Sequence, residues 1–163
     1  MSKLNPISRL AAPFLLSAFV VAGPAVAAED GQVVELTQTG CQFLEAENGV
    51  DHGYRPQTAD DCRSINLSGG SDRLAAAKVL NLRPGRYVFR VTNADVPYEL
   101  GFWLRSQDYN PNNPLHKLTR TSVSGGGLTE GLSRDYEVEL EAGEYVYSCP
   151  LNPTPNYRIV VGG

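Results

Sequence analysis

The sequence predicts an all-β sandwich, and three observations carry that prediction. Between Arg86 and Asn93 the side chains alternate: Tyr87, Phe89 and Val91 fall on one face, and Arg86, Val88 and Arg90 on the other. A period of two belongs to a strand with one face in a core. Tyr145, Tyr147 and Cys149 alternate in the same way with Val146 and Ser148. Turn signals at Arg83-Pro84-Gly85 and Glu141-Ala142-Gly143 separate such runs at short intervals. That spacing suits stacked sheets better than strands interleaved with helices.

The chain opens on a stretch with the marks of an export signal. Lys3 and Arg9 are basic, Ala11 to Val21 is apolar, and Ala25-Val26-Ala27 offers small residues for cleavage. The apolar run is short for a membrane span. Residues 1–28 are therefore expected to be removed, leaving no stable span and a product that is periplasmic or secreted. Removing 28 of the 163 residues leaves 135, the size of one domain at 29–163. Two basic residues and no acid leave with the signal, so a formal charge of −4 becomes −6. An acidic chain without a basic run argues against nucleic-acid binding.

The elements follow in order. Gln32 to Thr39 alternates through Val34, Leu36 and Gln38 and reads as the first strand. Residues 41–73 are polar and rich in Gly, Asn and Asp. They read as a long excursion with an insertion tied by a disulfide at about 41–62, and with a short helical turn near Cys41–Glu47 or Asp72–Ala77. Lys78 to Leu82, Arg86 to Asn93 and Tyr98 to Leu104 read as strands, and residues 106–114 as a Pro/Asn loop. Thr119 to Val123 fits a short edge strand. Gly125-Gly126-Gly127 has no Gly-Lys-Ser/Thr ending, so it cradles no phosphate and reads as a flexible connection or a bulge. Arg134 to Leu140 is the next strand. Gly143 to Val161 then reads as strand, loop, strand, with Pro150, Pro153 and Pro155 forbidding helix and ladder between.

Three cysteines in an exported chain imply one bond and one thiol left over. Three pairings exist. Cys41 and Cys62 share one polar segment, which favours that bond and leaves Cys149 at the end of a strand beside the proline loop. Free Cys commonly packs as a small hydrophobe, so Cys149 reads either as a core thiol or as a donor. The two histidines, His52 and His116, lie in polar loops. Glu45, Glu47, Asp51 and His52 are metal-capable, but their spacing matches no ligand motif, and a solvated acidic loop is expected. No Ser/His/Asp set is identifiable, so the chain is not expected to be an enzyme.

The stretches Gly85 to Phe102 and Gly143 to Val161 resemble the cupredoxins, the plastocyanin-like blue copper family, and the resemblance covers Val79 to Gly163. It implies a Greek-key β-sandwich. It also implies a copper site in which Cys ends the penultimate strand, His follows in the loop, Met closes it, and another His comes just after a Val-Pro pair. Here Val96-Pro97 is followed by Tyr98, the loop position after Cys149 holds Asn152, and the Met position holds Tyr157. Met1, the only methionine, leaves with the signal. Blue copper needs two imidazoles and a thiolate. The metal-donor set that the resemblance leaves is therefore Cys149, Tyr98, Asn152 and Tyr157, with Glu99 adjacent to it. Copper is the one cofactor the resemblance allows, and none is required.

Two functional expectations follow. One is an exported accessory protein with a degenerate type 1 copper site, acting in partner recognition or metal handling. Its periplasmic protein partner would meet Tyr98, Trp103 and Tyr157, since aromatic residues favour interfaces. The other is a copper-binding electron carrier that uses Cys149 with non-standard ligands.

Overall fold

The computed structural model describes residues 31–163. The expected signal segment at 1–28 lies outside them. Two sheets face each other. The first contains β1 (Gln32–Thr39), β2 (Gln42–Phe43), β4 (Gly85–Asn93) and β7 (Ser133–Leu140), in the order β2-β1-β4-β7. The second contains β3 (Leu80–Leu82), β5 (Leu100–Ser106), β6 (Thr121–Leu128), β8 (Gly143–Ser148) and β9 (Tyr157–Val161), in the order β3-β9-β8-β5-β6. Both sheets are mixed: β1 runs parallel to β4 and β3 parallel to β9, while the other pairs are antiparallel. The chain passes from one sheet to the other between β2 and β3, β3 and β4, β4 and β5, β6 and β7, and β7 and β8. These crossings make the two-sheet, all-β sandwich that was expected.

Alternation puts the expected faces inside. Tyr87, Phe89 and Val91 of β4 are buried, as are Leu36 and Gln38 of β1. They meet Phe102 and Leu104 of β5, Tyr147 of β8 and Ile159 of β9 in one core. Phe43 is its hub at one end, with its ring edge-on to Tyr147 at 5.3 Å and to Tyr157 at 5.9 Å. Aromatic rings favour such edge contacts.

Two elements differ from the sequence expectation. Residues 59–76 form an eighteen-residue helix, α1 (Ala59–Ala76), where only a short helical turn near 41–47 or 72–77 was expected. Its sequence, with Ser64, Asn66, Ser68, Gly69, Gly70 and Ser71 in near succession, is poor in helix formers. A capping contact starts it: Asp61 accepts from the Thr58 amide at 2.9 Å and the Gln57 amide at 2.8 Å. Tertiary anchors, described below, hold the rest.

The second is the edge strand expected at Thr119 to Val123, which runs instead from Thr121 to Leu128. The glycine triplet takes the bulge form of its two expected readings. It lies within β6 and carries a bulge, with a register shift between Leu100 and Phe102 of the partner strand. Close approach explains the glycines. A Cβ on Gly125 would come within 2.9 Å of the Tyr136 ring, and one on Gly101 within 2.6 Å of the Gly125 carbonyl. A second helix, α2 (His116–Thr119), sits in the connection from β5 to β6. Among the described residues no helix is long and apolar enough to cross a membrane.

Candidate functional site

The site is built around the end of β8. Cys149 follows the strand directly, and its amide donates to Thr154 Oγ1 at 3.1 Å, which closes the proline loop. The thiol is buried, and its sulfur accepts from the Asn152 amide at 3.2 Å and the Gly101 amide at 3.4 Å. Burial pushes the thiol up from its ordinary value, and the amides of Gly101, Asn152 and Leu151 offset this only in part.

Asn152 has no solvent exposure. Its Nδ2 donates to the Thr39 carbonyl at 3.0 Å. Its Oδ1 accepts from the Cys41 amide at 3.1 Å and from the Tyr98 hydroxyl at 3.2 Å. The same oxygen lies 2.9 Å from the Cys62 sulfur, which is bonded to Cys41 and carries no proton to donate. The expected Cys41–Cys62 disulfide is therefore formed, Cys149 is free, and the three cysteines gather around one asparagine. Tyr98 is half-buried, and its phenol is pushed up to about 12, first by burial and then by the neighbouring Cys149 and Asp61.

These groups do not fit type 1 copper. Such a site needs imidazole nitrogens beside the thiolate. The side-chain atoms of Asn152 are already committed to the backbone and to Tyr98, and the Tyr98 phenol holds its proton more tightly than an ordinary phenol. The histidines are engaged elsewhere: His52 Nε2 lies 2.6 Å from Glu47 Oε2, and His116 Nδ1 accepts from the Asn110 amide at 3.0 Å. Among the described residues no three His, Cys, Asp or Glu side chains come together in an arrangement that could hold a metal ion.

Tyr157 belongs to neither role expected of it. It is fully buried in the core, so it presents no surface to a partner, and its hydroxyl donates to Glu47 Oε1 rather than turning to Cys149. Trp103 is also separated from Tyr98. It lies on the outer side of its sheet, with the Arg105 guanidinium 4.0 Å over its ring and Tyr109 edge-on at 5.1 Å. The three aromatics therefore form no single patch. Tyr98 reaches the surface in part, and its hydroxyl bonds Asn152, the residue after Leu151; Leu151 is 42% exposed.

A second cluster was missed by sequence reasoning, which left Glu47 in a solvated loop. Its side chain is only 4% exposed and pairs with Arg73, 8% exposed, at 2.6 Å. Arg73 reaches further, to Asn66 Oδ1 at 2.9 Å and the Cys41 carbonyl at 3.0 Å. Burial alone would raise the Glu47 carboxyl, but donation from Arg73, Tyr157 and His52 holds it below the usual range. A cavity of about 310 Å³ opens beside this pair, lined by Val50, His52, Asp72 and Ala76 among others. No local signal marks Glu47 and Arg73 as partners, because they are 26 residues apart and each sits in a polar stretch.

No family model matches the chain, and no curated protein matches it. Solved structures do. Auracyanin A, a blue copper protein from Chloroflexus aurantiacus, is 12% identical, with 82% of this chain and 100% of that chain covered at a TM-score of 0.48. Auracyanin B is 11% identical, with coverage of 85% and 94% and a TM-score of 0.49. Reduced rusticyanin is 13% identical, with coverage of 82% and 81% and a TM-score of 0.44.

Proposed function

We propose that this chain is an exported, non-catalytic accessory protein in which a cupredoxin-like scaffold serves partner recognition and its copper position has become a structural knot. The observation that carries the reading is Asn152. Its amide oxygen and nitrogen are both spent on structure, it has no exposure, and a disulfide sulfur touches it. A group so enclosed holds the proline loop closed and leaves no open coordination position. The partner would meet the exposed parts of Tyr98 and Leu151, on either side of Asn152 in that knot.

One observation favours a second reading, copper binding through Cys149 with non-standard ligands. Two amide N–H groups point at the sulfur, and such donors stabilise a thiolate. Adding Cu(II) and Cu(I) to the purified, disulfide-bonded protein separates the two. The accessory reading expects no intense visible thiolate-to-copper band and no stoichiometric bound metal. A blue species with one copper per chain would replace it with electron transfer.

A further inference from the structure

Helix α1 lies over the Cys149 knot, yet little apolar packing holds it there. Of its eighteen residues only Cys62 and Gly70 are fully buried, and Leu67 is 90% exposed. Its middle is Ser68-Gly69-Gly70-Ser71, which resists helix formation. Near its carboxy-terminal end Leu74 packs against the core, and three further attachments fix the helix. Cys62 is bonded to Cys41 and touches Asn152. Asn66 donates to the Pro153 carbonyl at 2.6 Å, pinning the helix to the proline loop. Arg73 pairs with Glu47 at the far end. The amino-terminal half is thus held by one covalent bond and one amide contact, over a thiol that is 2% exposed.

We propose that α1 is a cover latched by the Cys41–Cys62 disulfide, and that reducing this bond frees its amino-terminal half and exposes the Cys149 thiol. The reductant is a dithiol. It gives two electrons and two protons, Cys41 and Cys62 become thiols, and the dithiol closes to its own disulfide. The covered thiol lies two residues before Leu151 of the surface assigned above to partner recognition, and in this sense the latch builds on that reading. Its readout is thiol chemistry, so it stands or falls without reference to any partner or metal.

The test labels Cys149 with N-ethylmaleimide under native conditions. It compares the disulfide-bonded protein with the Cys41→Ala, Cys62→Ala double variant, in which Cys149 is the sole thiol. Local opening of a weakly packed element should raise the labelling rate by about tenfold or more. Adding Gly69→Ala to the double variant should slow labelling again, because a Cβ there meets nothing within 4 Å and alanine favours helix. Equal rates in bonded and unbonded protein would overturn the proposal, as would an unchanged rate with Gly69→Ala.

Amide hydrogen exchange on the protein reduced with dithiothreitol guards against simple unfolding. Amides of residues 62–67, the first with partners inside the helix, should lose protection while those of β4 and β8 keep it. Loss of protection throughout would show that the bond supports the whole fold and would overturn the latch.

Discussion

Two clusters clamp α1 to the sandwich, and they do so by opposite chemistry. At Cys149 the groups are neutral: a thiol, an amide side chain, a phenol and a disulfide. At Glu47 they are charged: a carboxylate and a guanidinium, both nearly buried, with a phenol donating between core and pair. A neutral amide knot loses one bond at a time when a partner is removed. A buried ion pair leaves an uncompensated charge when it is broken. The cluster with no resemblance to any metal site should therefore matter more to stability than the one that resembles copper ligation.

The largest expected effect is therefore Arg73→Met. It leaves the nearly buried Glu47 carboxylate without its cation, with only Tyr157 and His52 beside it, and should cost about 3–5 kcal/mol, read as a drop in the urea midpoint at neutral pH. Removing the disulfide should cost about 3 kcal/mol, since the bond closes a loop with a sequence separation of 21. Asn152→Ala should cost about 1–3 kcal/mol, because it leaves the Cys41 amide, the Thr39 carbonyl and the Tyr98 hydroxyl to find other partners. If Asn152→Ala proves more damaging than Arg73→Met in the same denaturation series, the ranking is wrong.

The two clusters should also fail at opposite ends of the pH scale. The Glu47 carboxyl is held below its ordinary value of 4.5, so its contribution is complete above that value and fades as pH falls through the lowered one. At the other cluster burial raises the Cys149 thiol above 9.0 and the Tyr98 phenol above 10.0. An acid raised on folding contributes fully while both states are protonated. Its contribution is lost as the unfolded group ionises first, so stability should fall as pH rises past 9 and then 10. Asn152→Ala, which removes the acceptor of the protonated Tyr98 phenol, should flatten only the alkaline limb, and His52→Ala, which removes one donor from Glu47, only the acid limb. Either variant moving the other limb would merge the two clusters into one.

Much of this architecture is legible in sequence because burial is periodic. Arg86 to Asn93 and Glu144 to Ser148 announce their inner faces at period two, and the prolines after Cys149 announce the loop. The pairing of Cys41 with Cys62 follows from compartment and segment. What is not legible depends on partners far apart in the chain. Helix α1 has the composition of a loop and forms because Asp61, Cys62, Asn66 and Arg73 each find an anchor outside it or before it. Tyr157 sits where the family resemblance places an axial ligand, yet its hydroxyl answers to Glu47, 110 residues away. Asn152 stands at an expected ligand position, and only the positions of Thr39, Cys41 and Cys62 show why it is an amide.

The central claim is that the knot at Cys149 is complete without metal. Thermal unfolding of the disulfide-bonded protein tests it most directly, because any ligand that prefers the native state raises the midpoint by mass action. The account predicts the same midpoint in chelator, with added Cu(II) and with added Cu(I). A midpoint that rises with copper concentration in the unmodified protein, and no longer does so after Cys149→Ser, would contradict it.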